Sequence, residues 1–211
     1  MIKLTEIQQE TITELMNIAV GRAASSLNQL VDEEIGLTVP RVRFIERGDV
    51  SRLINEHTID GACAVTQEFS GPCPGEALLV FPEKKSLELV RAIIGELAPV
   101  ESASELERDA LTEVGNVVLN ASLGSLANLL GMEIVCALPE YVKGAGEFII
   151  MGRETGAGGN GDMTMFMEVN FELKQRKING YMMFILGMDA ARKFMDFIDG
   201  YMAKAFSSSR L

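Results

Sequence analysis

The sequence is written twice. Glu14-Leu15-Met16-Asn17 returns as Glu113-Val114-Gly115-Asn116, and Pro40 returns as Pro139, each 99 residues further along the chain. Each half therefore reads E-x-x-N, then 22 residues, then Pro, and Glu10 with Asp109, Ile35 with Ile134 and Val39 with Leu138 hold the same offset. Toward the end of each half the match resumes at an offset of 105, pairing Gly75 with Gly180, Leu89 with Phe194, Ile93 with Ile198 and Gly95 with Gly200. The second copy has thus gained about six residues, and the glycine-rich run Gly156-Ala157-Gly158-Gly159-Asn160-Gly161 lies where they must fall, as an enlarged hairpin loop. The expected organisation is one domain over 1–211 made of two repeats, about 1–100 and 101–211.

Apolar periodicity supplies the elements. Over roughly 5–31, Ile12, Leu15, Ala19, Ala23 and Leu30 recur at helical steps, and over roughly 103–130 Leu111, Val114, Val118, Ala121, Ser125 and Leu129 do the same, with Gly131 as a C-terminal stop. Segments 35–47 and 133–142 alternate in part, while 61–69, 75–82, 162–173 and 178–186 are strand-like runs bounded by turn residues. Each half closes with a helix, about 83–97 and 188–206. The plan per half is a long helix, about three strands and a short helix, which predicts a pseudo-two-fold α/β (α+β) domain whose sheet is covered by helices on one side.

Composition removes several function classes. Nineteen basic against thirty acidic residues give a formal net charge of -11, which opposes binding to phosphate backbones and anionic lipid headgroups. The first residues, MIKLTEIQQE, turn polar within five positions, unlike a signal peptide, and the longest apolar runs, Ala77 to Phe81 and Tyr181 to Leu186, fall far short of the roughly 20 residues of a membrane span. The expected location is the cytoplasm. Cys63, Cys73 and Cys136 lie in or near apolar stretches without CxxC spacing, so reduced, mostly buried thiols are expected. Nucleophilic catalysis with a histidine base could be built only around His57, in the polar run Asn55-Glu56-His57-Thr58. The glycine-rich run formally matches GxGxxG, but Met163-Thr164-Met165-Phe166-Met167-Glu168-Val169 after it is rich in strand formers, whereas a dinucleotide loop must open a helix. The alternating methionines are read as core strands rather than an adaptable binding surface.

What remains is the repeated carboxylate and amide. Three residues apart in a helix, Glu14 and Asn17 share a face, with Glu10 one turn earlier and Gly21 one turn later; Asp109, Glu113, Asn116 and Asn120 form the equivalent stripe. Both stripes lie roughly opposite the apolar ones and are expected to be exposed, so that Asn17→Ala and Asn116→Ala should cost activity without unfolding the chain. A solvated helix face accounts for one such pair, and duplication alone could preserve two. A carboxamide donates and accepts hydrogen bonds together, which suits holding a water molecule in one orientation. A glutamate one turn away can pair with a partner's lysine. So small a set suffices only where the substrate is already reactive and brings its own metal, as an acyl phosphate in a partner's acidic pocket would.

At these residues the sequence resembles the CheC/CheX/FliY family of chemotaxis phosphatases, whose signature is an acidic or Ser residue, then E-x-x-N, then a proline about 22 residues on. The resemblance spans essentially the whole chain and implies a CheC-like fold. Two signatures in one short chain look most like the CheC branch, since CheX-type members carry one functional signature and FliY-type members an additional C-terminal switch-protein domain. The resemblance implies hydrolysis of the aspartyl phosphate on a CheY-type response regulator. Asn17 and Asn116 would each orient the attacking water, Glu14 and Glu113 would contact the regulator's lysine, and Mg2+ would belong to the regulator. It also implies a second partner, the CheD deamidase. Glu10 departs from the Asp or Ser preferred at the leading position, which Asp109 satisfies, so the second site is the more secure. The main rival is a non-catalytic module like the middle domain of the flagellar switch protein FliM, which resembles this fold but lacks the E-x-x-N pairs.

Overall fold

The structure, a computed structural model, describes residues 4–29, 34–58, 61–94, 103–151, 163–173 and 176–208. The first half runs α1 (Glu6–Leu27), β1 (Ile35–Thr38), β2 (Val42–Glu46), α2 (Arg47–His57), β3 (Ala62–Ser70), β4 (Gly75–Pro82) and α3 (Glu83–Ile94). The second runs α4 (Ala103–Leu130), β5 (Val135–Cys136), β6 (Glu140–Gly144), α5 (Gly146–Met151), β7 (Met163–Leu173), β8 (Arg176–Leu186) and α6 (Met188–Ser208). The same order of helices and strands occurs in both.

The halves exchange strands within one eight-stranded antiparallel sheet of order β1-β7-β8-β4-β3-β5, with β2 also on β7 and β6 also on β3. The first strands of each half therefore pair with the third strand of the other. At the centre β4 meets β8, and Leu78 faces Met183. Those two residues are 105 apart, the offset of the closing repeat, so the pseudo-two-fold axis passes through this pair.

Strand alternation sends successive residues to opposite faces. Cys63, Val65, Leu79, Phe81, Met165, Met167, Met182 and Phe184 join the larger core beneath α1, α4 and α6. Ala62, Ala64, Leu78, Val80, Phe166, Met183 and Ile185 form a smaller one with Val50 and Ile54 of α2 and Ile149 and Ile150 of α5. The expectation of helices on one side is thus corrected: α2 and α5 cover the second face. Both are short and one is polar, so their periodicity is weak. They are held together by polar ties at each end of α5, where Asn55 Oδ1 accepts from the Gly146 amide at 2.9 Å and the Arg47 guanidinium donates to the Ile150 carbonyl at 2.6 Å. The partly alternating segments 35–47 and 133–142 each resolve into two strands rather than one. The glycine-rich run and Leu30 lie outside the described residues, and the element after that run is β7, a strand.

Helix ends follow local chemistry. Thr5 caps α1 in a reciprocal box with Gln8, at 3.2 Å from the Gln8 amide to the threonine hydroxyl and 3.0 Å from the Thr5 amide to the glutamine carbonyl. At the end of α4, Gly131 takes φ +70° and Met132 N donates to Ala127 O at 2.8 Å, the Schellman arrangement. Gly131→Ala is expected to destabilise the fold by about 1 kcal/mol, because an L side chain resists that backbone region. Urea denaturation would read this as a lower midpoint at unchanged slope; an unchanged midpoint would mean that the cap contributes nothing.

Candidate functional site

Glu14 and Asn17 stand on α1, Glu113 and Asn116 on α4, and the two helices pack side by side over the larger core. Both glutamates are exposed, as are Glu10 and Asp109 one turn earlier. Among the described residues neither signature glutamate joins an ion pair, so each is open to a partner's cation. The two asparagines are half-buried rather than exposed. Their helices bury more than the sequence stripes implied, since Met16 and Val20 beside Asn17, and Leu119 and Leu123 beyond Asn116, also enter the core.

In the first half the asparagine is committed to the fold. Asn17 Nδ2 donates to Val39 O at 2.9 Å and to Thr13 O at 3.0 Å, while Asn17 Oδ1 accepts from Val39 N at 2.9 Å. Val39 precedes Pro40, and a residue before proline is restricted to extended backbone. Such a residue turns its N–H and C=O to the same side, where a carboxamide can satisfy both. This gives the 22-residue spacing a structural reason. Two further amides hold the same stretch: Asn28, the C-cap of α1, accepts from Ile35 N at 2.7 Å and donates to Ile35 O at 3.1 Å, and Gln9 Nε2 within α1 donates to Val42 O at 3.2 Å. An open groove beside this pair is lined by Glu6, Gln9, Glu10, Thr13, Glu14, Pro40 and Arg41.

The second half keeps the residue types and rewires them. Arg108 and Ala127 occupy the positions of Gln9 and Asn28, so those clamps are gone. β5 accordingly has two residues where β1 has four. Leu138, the counterpart of buried Val39, is 88% exposed. The stretch before Pro139 is instead held by β3: the Ala137 amide donates to Glu68 O at 2.9 Å, and buried Gln67 donates through Nε2 to Ala137 O at 2.8 Å and to Asn120 Oδ1 at 3.1 Å. Asn120 Nδ2 in turn donates to Asn116 O at 2.9 Å and Asn116 Oδ1 at 2.7 Å. Among the described residues, Asn116 Nδ2 makes no hydrogen bond.

A buried polar cluster lies beside α4. Ser86 donates to Glu107 Oε1 at 2.8 Å, Tyr141 OH donates to Cys63 Sγ at 3.1 Å, and Lys143 pairs with Glu83 at 2.7 Å. Burial pushes the Cys63 thiol up against the lowering pull of its Tyr141 and Ser86 hydrogen bonds, and burial raises the Tyr141 phenol far above its usual value. Both stay protonated at neutral pH, so no thiolate nucleophile is prepared. Sequence reading missed Glu107 and Tyr141; their counterparts at the repeat offset are Gln8 and Val42, so the repeat carried no signal for them. Cys63 and Cys73 are buried and Cys136 is half-buried, all three free. His57 ends α2, on the other face of the sheet from both signature helices. Among the described residues there is no group of three or more His, Cys, Asp or Glu that could hold a metal, and no helix long and apolar enough to cross a membrane.

No family model matches the chain. Over 173 residues, 81% of this chain and 43% of the relative, it is 25% identical to the flagellar motor switch phosphatase FliY of Bacillus subtilis. Over 140 residues, 65% of this chain and 66% of the relative, it is 24% identical to the CheY-P phosphatase CheC of Bacillus subtilis. The chain thus spans less than half of that FliY and about two thirds of that CheC. Among solved structures it is similar to Thermotoga maritima FliY, with TM-score 0.75 and 21% identity, covering 95% of this chain and 100% of that one. It is also similar to the FliM middle domain from H. pylori, with TM-score 0.57 and 9% identity, covering 92% and 99%. A curled antiparallel sheet shared by two like halves, with a Glu/Asn pair on each long helix, defines a CheC-like α/β fold. With the sequence relatives added, the chain is similar in both sequence and fold to proteins of the CheC/CheX/FliY family.

Proposed function

We propose that this protein is a phosphatase that hydrolyses the aspartyl phosphate of a CheY-type response regulator in chemotaxis signalling. The observation that carries the reading is the open amide of Asn116, one helical turn from the exposed carboxylate of Glu113, which joins no ion pair among the described residues. Relatives named as CheY-P phosphatases supply the substrate class. Glu113 would pair with the regulator's lysine and set the register of the two proteins. Asn116 would then hold a water in line with the phosphorus. The water oxygen forms a new bond to phosphorus as the bond to the aspartate oxygen breaks, the regulator's carboxylate leaves, and the water's proton departs with inorganic phosphate. Mg2+ would sit in the regulator. Positioning and electrostatics suffice for such a transfer, so no nucleophile of this chain is required.

Glu14 and Asn17 offer the same residue types, with Asn17 committed to Val39. The first pair therefore contributes only when that clamp opens. The same resemblance brings a CheD-type deamidase as a second partner, and the cytoplasm stays the expected location. The test is phosphate release from a phosphorylated CheY-type regulator with Mg2+, comparing the wild-type chain with folded Asn17→Ala/Asn116→Ala. Acceleration by wild type alone is expected. No acceleration by either, with binding intact, would replace the phosphatase by a switch-like docking module of the FliM kind.

A further inference from the structure

We infer that Asn120, itself oriented by Gln67, is a positioning residue that keeps the NH2 of Asn116 turned toward the substrate; this rests on the phosphatase reading and deepens it. The sense of each amide in the relay is fixed by chemistry rather than by choice of rotamer. A backbone carbonyl can only accept, so the end of Gln67 that lies 2.8 Å from Ala137 O is its NH2. The same NH2 lies 3.1 Å from Asn120, which must present its carbonyl there. The other end of Asn120, its NH2, then faces α4, where it meets the Asn116 backbone carbonyl at 2.9 Å and the Asn116 side chain at 2.7 Å. That side chain has to present Oδ1, which leaves Nδ2 as its outward end.

The chain contains its own control. At the repeat offset, Asn120 corresponds to Gly21, which carries no side chain, and there Asn17 has turned both ends of its amide onto Val39 and Thr13. Gln67 is 2% exposed, and its Oε1 is buried without a hydrogen-bond partner. Asn120 does not reach the reacting atoms in this scheme; it acts through Asn116.

Asn120→Asp is the discriminating variant. It has the same shape and still accepts from Gln67, but a carboxylate cannot donate to Asn116 Oδ1 and instead draws in the Asn116 NH2. Steady-state phosphate release from the phosphorylated regulator with Mg2+ should show kcat lowered on the order of 10- to 100-fold toward the Asn116→Ala floor, with KM unchanged and the fold retained, since misplacing a positioning group costs rate rather than binding. Gln67→Met, which removes the first donor and fills the same space, should lower kcat in the same direction by a few-fold. If wild type is active, Asn116→Ala is not, and both Asn120→Asp and Gln67→Met retain wild-type kcat, the relay is wrong and the phosphatase reading stands. If wild type shows no activity, the reading fails, and the relay is judged by side-chain amide exchange in the free protein. The NH2 protons of Asn120 should exchange more slowly than those of Asn116; equal rates would overturn the relay by itself.

Discussion

Asn17→Ala should cost stability and Asn116→Ala should cost activity, although the two residues stand at the same position of the repeat. Removing the Asn17 amide leaves the N–H and C=O of Val39 without their partner, a loss of two hydrogen bonds to half-buried backbone groups. At about 1 kcal/mol each, the expected destabilisation is about 2 kcal/mol. In a chain of this size that lowers Tm by about 4–8 °C. Asn116→Ala removes one acceptor from Asn120 and gains helix propensity, two effects below about 1 kcal/mol that oppose each other, so its Tm should scarcely move. Its phosphate release should fall on the order of 100-fold or more, as for loss of a group placed against the reacting atoms. The measurement is a paired one, thermal unfolding and phosphate release on both single variants. Equal losses of activity at unchanged Tm would mean that the Val39 clamp opens freely and that the two sites are alike.

This asymmetry marks where sequence stops being informative. The repeat exposed the long helices, four of the strands and the pairing of the signatures, because an apolar stripe and a fixed offset survive in one dimension. The run at 75–82 and the helix at 103–130 coincide with β4 and α4. It could not expose α2, whose eleven residues carry few apolar side chains, nor α5, which has six. Nor could it separate Asn17 from Asn116. Their difference lies in residues distant along the chain, Val39 in one case and Gln67 acting through Asn120 in the other, and neither partner falls within the signature. The leading Glu10 against Asp109, the one difference at a defined position of the signature, ranks the sites in the same order for another reason.

Gly115→Ala should disrupt both the fold and the site. Gly115 is the third residue of the second signature, and a Cβ there would run into Val65 of β3, meeting its Cβ and Cγ1 and lying 2.7 Å from its Cγ2. Val65 cannot yield by rotating, since all three atoms of a β-branched side chain face the intruder, and its backbone is pinned by pairing to Leu79 and Tyr141. Ala gains about 1 kcal/mol over Gly in a helix interior. Overpacking costs about 1–3 kcal/mol and more where the backbone must move, so the clash wins and the net loss should be about 2 kcal/mol. The displaced element is the turn of α4 that carries Glu113 and Asn116, so phosphate release should fall on the order of 10- to 100-fold at temperatures where the variant is still folded. Shortening the obstacle tests the cause. In Gly115→Ala/Val65→Ala the new methyl occupies part of the space that the valine vacates, and a double-mutant cycle should return a favourable coupling of about 1–3 kcal/mol together with recovered activity. A Gly115→Ala variant more stable than wild type and fully active would show that propensity dominates and that α4 does not approach β3 this closely. Strictly additive single effects would place the disruption somewhere other than the contact with Val65.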